Sequence, residues 1–232
     1  MNIGNEFRSY ATKHMGISSS EYDASVQQQD KLYGIQSSMT PYVLEERELR
    51  VTQMDIFSRM MMDRKIWLAG PVNDRMSTIV QAQLLFLDNV DISDITLHVD
   101  TPGGSVKSGL SMVDVMNYIT SDIVTINTGM AASMGSILLG AGTKGKRLSL
   151  ATSRVMIHQV SGGAGGTYQD MEITMAETKK MNDLLFKMLG EYTNKTAEAV
   201  KKDAERDLWF SAEEALEYGI IDSIIKNKGK KI

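Results

Sequence analysis

The sequence predicts an α/β domain in which a largely parallel sheet is covered by helices. Short apolar or alternating segments, typical of strands, are separated by longer amphipathic segments, typical of helices. Strands that alternate with helices pair in parallel, because each helix returns the chain to the starting edge of the sheet. With 232 residues, 42% of them apolar, the chain can bury the core of one compact domain.

Helices are predicted where apolar residues recur every three to four positions, and strands where apolar runs are short or alternate with polar residues. In chain order, the predicted elements are a helix over residues 52–63, a strand over 66–69, a helix over 74–89, a strand over 95–99, a helix over 106–119, a strand over 123–128, a helix from Ser133, strands around 146–148 and 154–157, a glycine-rich strand over 161–166, and a long helix over 168–192. The sequence Ser211-Ala-Glu-Glu214 predicts a capping box that starts a further helix.

Composition excludes several classes of function. A net charge of −4 and a pI near 5.5 argue against nucleic acid as the main partner. The absence of cysteine excludes disulfides and thiolate metal sites, and we expect no metal and no cofactor. No apolar run approaches the length of a membrane span, and the N-terminus lacks the layout of a secretory signal. We therefore expect a cytoplasmic protein with no membrane partner.

One serine stands among small residues where a strand is expected to turn into a helix. Ser133 lies in Gly129-Met-Ala-Ala-Ser-Met-Gly-Ser136. A serine on a sharp strand-to-helix turn exposes its Oγ, and the first N–H groups of the helix can stabilise an oxyanion. Tight helix packing also explains the small residues, and Ser136 is a second candidate for the nucleophile. The pattern therefore indicates a catalytic serine only if the chain also provides a base and an acid.

The chain has three histidines from which the base must come. His14 lies in a polar tail. His98 lies in an alternating strand, where we expect a partly buried, hydrogen-bonded ring. His158 ends the apolar run 154–157 and precedes a glycine-rich segment, a position that suits a residue facing a cleft, although taken alone a hydrogen-bonded structural histidine is the simpler explanation.

Four aspartates are candidates for the acid that orients the histidine. Asp170 has a structural role as a charge at a helix N-terminus, and Asp222 can cap the turn after Gly219. Asp203 and Asp207 both lie near the C-terminus, and their spacing alone does not choose between them.

Taken together, the motifs resemble the proteolytic subunit (ClpP) family of the caseinolytic (Clp) proteases over residues 41–225. The resemblance rests on three segments in the same order: Gly129-Met-Ala-Ala-Ser133-Met-Gly135, Met156-Ile-His158-Gln159, and Arg206-Asp207 followed by Phe210-Ser-Ala-Glu-Glu-Ala-Leu-Glu-Tyr-Gly219. It implies a serine endopeptidase with Ser133 as nucleophile, His158 as general base and Asp207 as orienting acid. It also implies a crotonase-like fold with a protruding handle helix over 168–192.

The resemblance assigns further positions. Gly104 of the Pro-Gly-Gly loop would join the N–H of Met134 in an oxyanion hole, where each donor contributes roughly 3–4 kcal/mol. Ser161, Gly162 and Gly163 would form a strand that binds substrate through its main chain. Arg206 would link contact between two rings to the alignment of the catalytic residues. Residues 1–39 would be a disordered propeptide, with a retained flexible tail as the less favoured alternative, and 40–55 would form axial loops.

The implied assembly is a homo-oligomer of two stacked heptamers that encloses a chamber. Its implied partners are an AAA+ unfoldase, ClpX-like or ClpA/ClpC-like, and the unfolded polypeptides that this unfoldase feeds in. This chain has no Gly-x-x-x-x-Gly-Lys-Ser/Thr phosphate loop, so we expect it not to hydrolyse ATP. Three residues depart from the family pattern: Val160 replaces a proline, and Thr96 and His98 replace tyrosines of the unfoldase-docking pocket. A non-catalytic ring subunit and an acyl-CoA hydratase-like enzyme remain as alternatives.

Overall fold

The computed structural model describes residues 42–47 and 50–226. The chain divides after Ile56 into two units, which are described separately. In the first, β1 (Tyr42–Arg47) pairs antiparallel with β2 (Arg50–Asp55). The helix predicted over 52–63 is therefore wrong in its first part, because residues 52–55 are held in this hairpin by backbone pairing. The predicted propeptide lies outside the described residues.

The second unit alternates helices and strands as the sequence predicts. Its elements, with the helix that leads into it, are α1 (Ile56–Met62), β3 (Lys65–Ala69), α2 (Asp74–Val90), β4 (Ile95–Thr101), α3 (Val106–Tyr118), β5 (Ile123–Ala132), α4 (Met134–Gly140), β6 (Arg147–Leu150), β7 (Arg154–Ile157), α5 (Tyr168–Thr193), α6 (Ala197–Asp203), β8 (Leu208–Phe210), α7 (Ala212–Tyr218) and β9 (Ser223–Ile225).

Seven strands form one sheet in the order β3-β4-β5-β6-β9, and the last half of β5 also pairs with β7. All of these pairs are parallel, which confirms the predicted sheet type. The exception is β8, which pairs antiparallel with β7. The second half of β5 therefore leads the chain away from β6 and toward β7, so the ends of β5 and β7 lie side by side.

The short helix α4 lies at the centre of the core. All seven of its residues are buried, and the strands on which it packs bury alternate residues, as in β4. Glycines allow this close packing. A Cβ on Gly135 would lie 2.6 Å from the Thr101 side chain, and one on Gly109 would lie 2.3 Å from that of Met134. The turn before α4 is therefore built on a rigid part of the molecule.

The glycine-rich segment 161–166 is not a strand in this chain, contrary to the prediction. It lies beside no other strand of the described residues, and a strand needs a neighbour to hold its backbone. A Cβ added to Gly162, Gly163 or Gly165 would meet open space. The segment is thus exposed and leads directly into α5.

Helix α5 is as long as predicted and begins with a complete capping box formed by Thr167 and Asp170. This confirms the structural role expected for Asp170. Among the described residues, no helix combines the length and the apolar content needed to cross a bilayer.

A buried ion pair joins the C-terminal elements to the sheet. The Arg147 guanidinium donates to both carboxylate oxygens of Asp222, at 2.9 and 2.6 Å, and to the carbonyl oxygen of Tyr192 at 2.9 Å. Only 4% of the Arg147 side chain and 18% of the Asp222 side chain are exposed. Asp222 is therefore the counter-ion of a buried arginine as well as an acceptor for backbone N–H groups, a role that its position after Gly219 does not reveal.

Candidate active site

Ser133 occupies the sharp turn between β5 and α4. Its backbone has φ 54° and ψ −122°, a conformation that non-glycine residues rarely adopt. The turn is held because the Ser133 N–H donates to the Met156 carbonyl oxygen of β7 at 2.9 Å. A strained serine that is held between two strands and a buried helix presents its Oγ away from the core.

The three side chains that the sequence singles out lie in one hydrogen-bonded chain. The Nε2 of His158 is 2.8 Å from the Oγ of Ser133, and the Nδ1 of His158 is 3.2 Å from the Oδ1 of Asp207. A neutral imidazole protonated on Nδ1 donates to Asp207 and accepts the Ser133 proton on Nε2. A hydroxyl, an imidazole and a carboxylate in this arrangement can carry out nucleophilic catalysis.

Antiparallel pairing explains how His158 meets Asp207 although 49 positions separate them. The last pair of the β7–β8 ladder joins Ile157 to Leu208. The next residue beyond this pair is His158 on one strand and Asp207 on the other, so the two side chains leave the ladder at the same end.

The other aspartates have different partners. The Tyr218 hydroxyl donates to Asp203 at 2.9 Å, so this residue, which sequence spacing left open as the acid, lies on α6 against α7. Asp170 belongs to the capping box and Asp222 to the buried ion pair. Among the four candidates, only Asp207 reaches His158.

His98 differs from its predicted state. It is partly buried as expected, but neither ring nitrogen has a hydrogen-bond partner among the described residues. Its ring instead stacks on Trp67, with centroids 4.5 Å apart. Burial, followed by the nearby Lys65 charge, lowers the pKa of His98. The ring is therefore held neutral, on the same half-buried face of β4 as Thr96.

Ser136 is not a second nucleophile in this geometry. Its hydroxyl is buried and donates to the Ser133 carbonyl oxygen at 2.7 Å, and its N–H donates to the same oxygen at 3.0 Å. Ser136 thus stabilises the turn on which Ser133 lies.

The two predicted oxyanion donors flank the same pocket as the Ser133 hydroxyl. Gly104 and Met134 line this pocket together with His158. The Pro-Gly-Gly loop touches the serine turn through Gly103, where a Cβ would lie 2.7 Å from the Ser133 Cβ and 2.9 Å from the Met134 nitrogen. Gly103 was not singled out from sequence, yet only glycine permits this approach.

The pocket beside Ser133 is lined by both apolar and polar residues. Its apolar walls are residues of α3, α4 and α5, namely Val106, Ile137, Leu185, Phe186 and Leu189, and Ser136, Gln159, Val160 and Ser161 also line it. Of the predicted substrate-binding residues, Ser161 lines this pocket, whereas Gly162 and Gly163 do not. The helical spacing of these apolar residues indicated core positions, so sequence reasoning did not identify them as pocket walls.

Arg206 is exposed and lies next to Asp207, outside the pocket. In the described part of the chain, no three histidine or acidic side chains converge in a way that would hold a metal ion.

Comparisons with known proteins show the family to which the chain is similar. The family model described as Clp protease matches residues 46–228. The chain is 47% identical to the ATP-dependent Clp protease proteolytic subunit of Bacteroides fragilis (strain YCH46), over 96% of this chain and 99% of that protein. It is 47% identical to the subunit of the same name from Porphyromonas gingivalis, over 97% of this chain and all of that protein. The Streptococcus pyogenes subunit is 50% identical over 83% of this chain and its own full length.

Proposed function

The chain belongs to the Clp protease family of serine endopeptidases, and from this we propose that it hydrolyses peptide bonds with Ser133, His158 and Asp207 as its catalytic residues. The family's fold is crotonase-like, in accord with the α/β architecture and mostly parallel sheet described above. The observation that carries the proposal is the unbroken chain of hydrogen bonds from Asp207 through His158 to Ser133.

In the proposed mechanism, the Ser133 hydroxyl attacks the substrate carbonyl while His158 takes its proton. The N–H groups of Gly104 and Met134 stabilise the oxyanion of the tetrahedral intermediate. His158 then returns the proton to the leaving amine, and water hydrolyses the acyl-enzyme by the same steps. Asp207 holds the imidazole in the required tautomer throughout.

Main-chain contacts supply most of the proposed substrate binding. The exposed segment Ser161, Gly162 and Gly163 becomes a strand only when an extended peptide lies beside it, which accounts for its unpaired state here. The substrate side chain next to the cleaved bond enters the pocket beside Ser133, against its apolar walls. Unfolded polypeptides with an apolar residue at this position are the substrates that fit.

This chemistry needs no ATP and no cofactor. The relatives are named ATP-dependent, although this chain has no phosphate loop. A separate AAA+ unfoldase, ClpX-like or ClpA/ClpC-like, is therefore the proposed ATPase partner, and it delivers unfolded protein. The half-buried Thr96 and His98 would make its docking surface more polar than that of relatives with tyrosines there.

We expect purified protein to cleave short fluorogenic peptides without nucleotide, but to degrade a stably folded protein only with the partner ATPase and ATP. Peptides differing only at the residue before the cleaved bond provide a matched control, and leucine should be preferred to aspartate because the pocket has apolar walls. Degradation of the folded protein by the isolated chain, or peptide cleavage that requires ATP, would contradict the proposal that this chain cleaves peptides and a separate ATPase unfolds proteins.

The proposed assembly is two stacked heptamers, with α5 as the projecting handle. The first ten residues of α5, from Tyr168 to Glu177, are all exposed, and they include Tyr168 at 74%, Ile173 at 68% and Met175 at 58%. Apolar side chains on a helix that the chain itself leaves uncovered are consistent with contact to a second ring. Arg206, exposed beside Asp207, is the proposed link between this contact and the catalytic residues.

We expect native mass spectrometry to show a tetradecamer whose subunits begin near Met39 or Thr40, after loss of the proposed propeptide, with residues 40–55 as axial loops. Arg206→Ala should yield single heptamers with reduced peptidase activity, whereas Lys201→Ala, an exposed change on α6, should leave the tetradecamer intact. Full-length subunits in the active particle would contradict the propeptide, and an active Arg206→Ala tetradecamer would contradict the link.

No observation favours the alternatives. A hydratase would need acidic groups and an acyl-CoA site instead of a serine next to a histidine. A non-catalytic ring subunit would have no reason to keep the Ser133–His158–Asp207 geometry.

A further inference from the structure

We propose that Gln159 is a positioning residue that holds Asp207 against His158, an inference that rests on the proposed function. Gln159 follows the base directly in the chain, and its own side chain points to the segment that carries the acid. Gln159 also lines the pocket beside Ser133, but its side-chain hydrogen bond within the described residues goes to the segment before Asp207, so we assign its effect to the position of Asp207.

Asp207 is held weakly for a residue of its proposed importance. Its side chain is 62% exposed, and among the described residues its carboxylate has one hydrogen-bond partner, His158, at the rather long distance of 3.2 Å. The position of the carboxylate therefore depends on its backbone. After Asp207 the backbone is fixed by the β7–β8 ladder, but before it the connection from α6 needs a separate anchor.

Gln159 provides this anchor with two hydrogen bonds. Its backbone N–H donates to the Ala204 carbonyl oxygen at 3.1 Å, and its side-chain Nε2 donates to the Glu205 carbonyl oxygen at 3.2 Å. Ala204 is fully buried, so this end of the connection is fixed to the core. Glu205 is two residues before Asp207, and its carbonyl is bound by a side chain whose backbone is continuous with His158.

The segment that follows His158 makes another hydrogen bond, and this one connects it to α5. The N–H of Val160 donates to the Asn182 side-chain oxygen on α5 at 2.9 Å. A proline at this position, as in the family pattern, has no N–H and could not make this bond. Asn182 thus anchors the chain after His158 to α5, and this hydrogen bond does not involve the Asp207 segment, which makes Asn182 the matched control for Gln159.

The consequence is a closed loop of contacts around the acid. His158 and Asp207 leave one end of the β7–β8 ladder. Gln159, the residue after His158, then binds the carbonyl oxygen of Glu205, two residues before Asp207. Among the described residues, removing the Gln159 side-chain donor leaves only the backbone bond to Ala204 to hold this side of the loop. Since misplacement of a catalytic group by about 1 Å can cost up to 10²-fold in rate, loss of one neutral hydrogen bond should give a smaller but measurable loss.

The test compares Gln159→Met, which keeps the length of the side chain but removes the donor, with the wild type and with Asn182→Ala in the assembled particle. For Gln159→Met we expect kcat for a short fluorogenic peptide to fall about five- to tenfold, and this fall should exceed any change in KM, because the displaced group is Asp207. Hydrogen exchange of residues 204–208 should accelerate in Gln159→Met but not in Asn182→Ala.

A double-mutant cycle with Asp207→Ala completes the test, with the rate of labelling by a fluorophosphonate as readout. If Gln159 acts through Asp207, Gln159→Met lowers the labelling rate by less than about twofold in the Asp207→Ala background. Asn182→Ala should lower the labelling rate by the same factor with Asp207 present and with Asp207→Ala. Equal losses for Gln159→Met in both backgrounds, or unchanged exchange of 204–208, would overturn the proposal.

Gln159→Glu, which has the same shape but no donor, replaces Gln159→Met should the latter fail to assemble. If the wild type showed no Ser133-dependent activity, the proposed function would fail, while the exchange of residues 204–208 would still decide whether Gln159 holds this segment.

Discussion

Ser133→Ala is expected to lower kcat for a short fluorogenic peptide by a factor that approaches ~10⁶, as for other triad nucleophiles. The structure gives the reason. The His158 Nε2, 2.8 Å from the Ser133 Oγ, would have no hydroxyl to deprotonate, and the covalent route would be closed. Any residual catalysis would come from the proposed oxyanion donors and from substrate binding alone. Continuous fluorescence assays of the assembled particle measure this loss.

Ser136→Ala is the matched control, because it removes the same group three residues away. The Ser136 hydroxyl supports the turn through one hydrogen bond to the Ser133 carbonyl oxygen. Its loss should cost about 1 kcal/mol, or less than about tenfold in rate. Substantial turnover by Ser133→Ala in a clean preparation, or a loss in Ser136→Ala as large as that in Ser133→Ala, would refute the assignment of the nucleophile.

Asp222→Asn is expected to cause the largest loss of stability among single polar substitutions. It keeps the shape of the side chain but leaves the buried Arg147 guanidinium without its counter-ion. Breaking a buried ion pair from one side costs about 3–5 kcal/mol. Because 18% of the Asp222 side chain is exposed, we expect the lower end, about 3 kcal/mol, and a fall in the melting temperature of roughly 6–12 °C. Calorimetry at one fixed protein concentration measures it.

Asp94→Asn provides the control on the surface. Asp94 pairs with Lys146, which also binds Asp122, and both side chains of the Asp94–Lys146 pair are exposed. Exposed pairs contribute about 0–1 kcal/mol, so the melting temperature should hardly change. Equal falls in melting temperature for Asp94→Asn and Asp222→Asn would contradict our claim that burial makes the Arg147–Asp222 pair more important for stability.

The pH dependence of the Asp222→Asn effect follows from the pKa of Asp222. Burial raises this pKa, but hydrogen bonds from the side chain and backbone of Arg147 outweigh burial and hold it below its usual range. The stabilisation is therefore complete above the unfolded pKa of about 3.9 and is lost only as the pH falls through the lower folded value. We expect the same difference from wild type at pH 8 and pH 5. A difference that disappears between pH 8 and pH 5 would contradict the sign of the shift.

Much of the fold was predictable because it depends on local periodicity. The alternation of apolar segments places β3, α2, β4 and α3 within two residues of their observed bounds. The capping boxes at Thr167 and Ser211 also depend on local chemistry, and the one at Ser211 starts its helix where the sequence predicts. The hairpin over residues 42–55 was missed, because pairing of two neighbouring segments overrode the helical pattern of residues 52–55.

The site was predictable only in part, because its contacts join distant positions. Local reasoning made His158 a candidate base but did not exclude a structural role for it, and it left Asp203 and Asp207 open, since the β7–β8 register that separates them is a tertiary feature. The Gln159 bond to Glu205, the Arg147–Asp222 pair and the stacking of His98 on Trp67 are likewise tertiary contacts. The segment 161–166 was predicted as a strand but pairs with no strand among the described residues, and in the proposed function its neighbour is the substrate.

The most direct test of the catalytic assignment is fluorophosphonate labelling of the wild-type particle, followed by proteolysis and mapping of the modified peptide. The reagent reacts only with a serine whose hydroxyl is activated by a nearby base. We predict one modified residue, Ser133, with labelling lost in His158→Ala although Ser133 is still present. Labelling at Ser136 or at any other serine, or undiminished labelling of Ser133 in His158→Ala, would contradict the account.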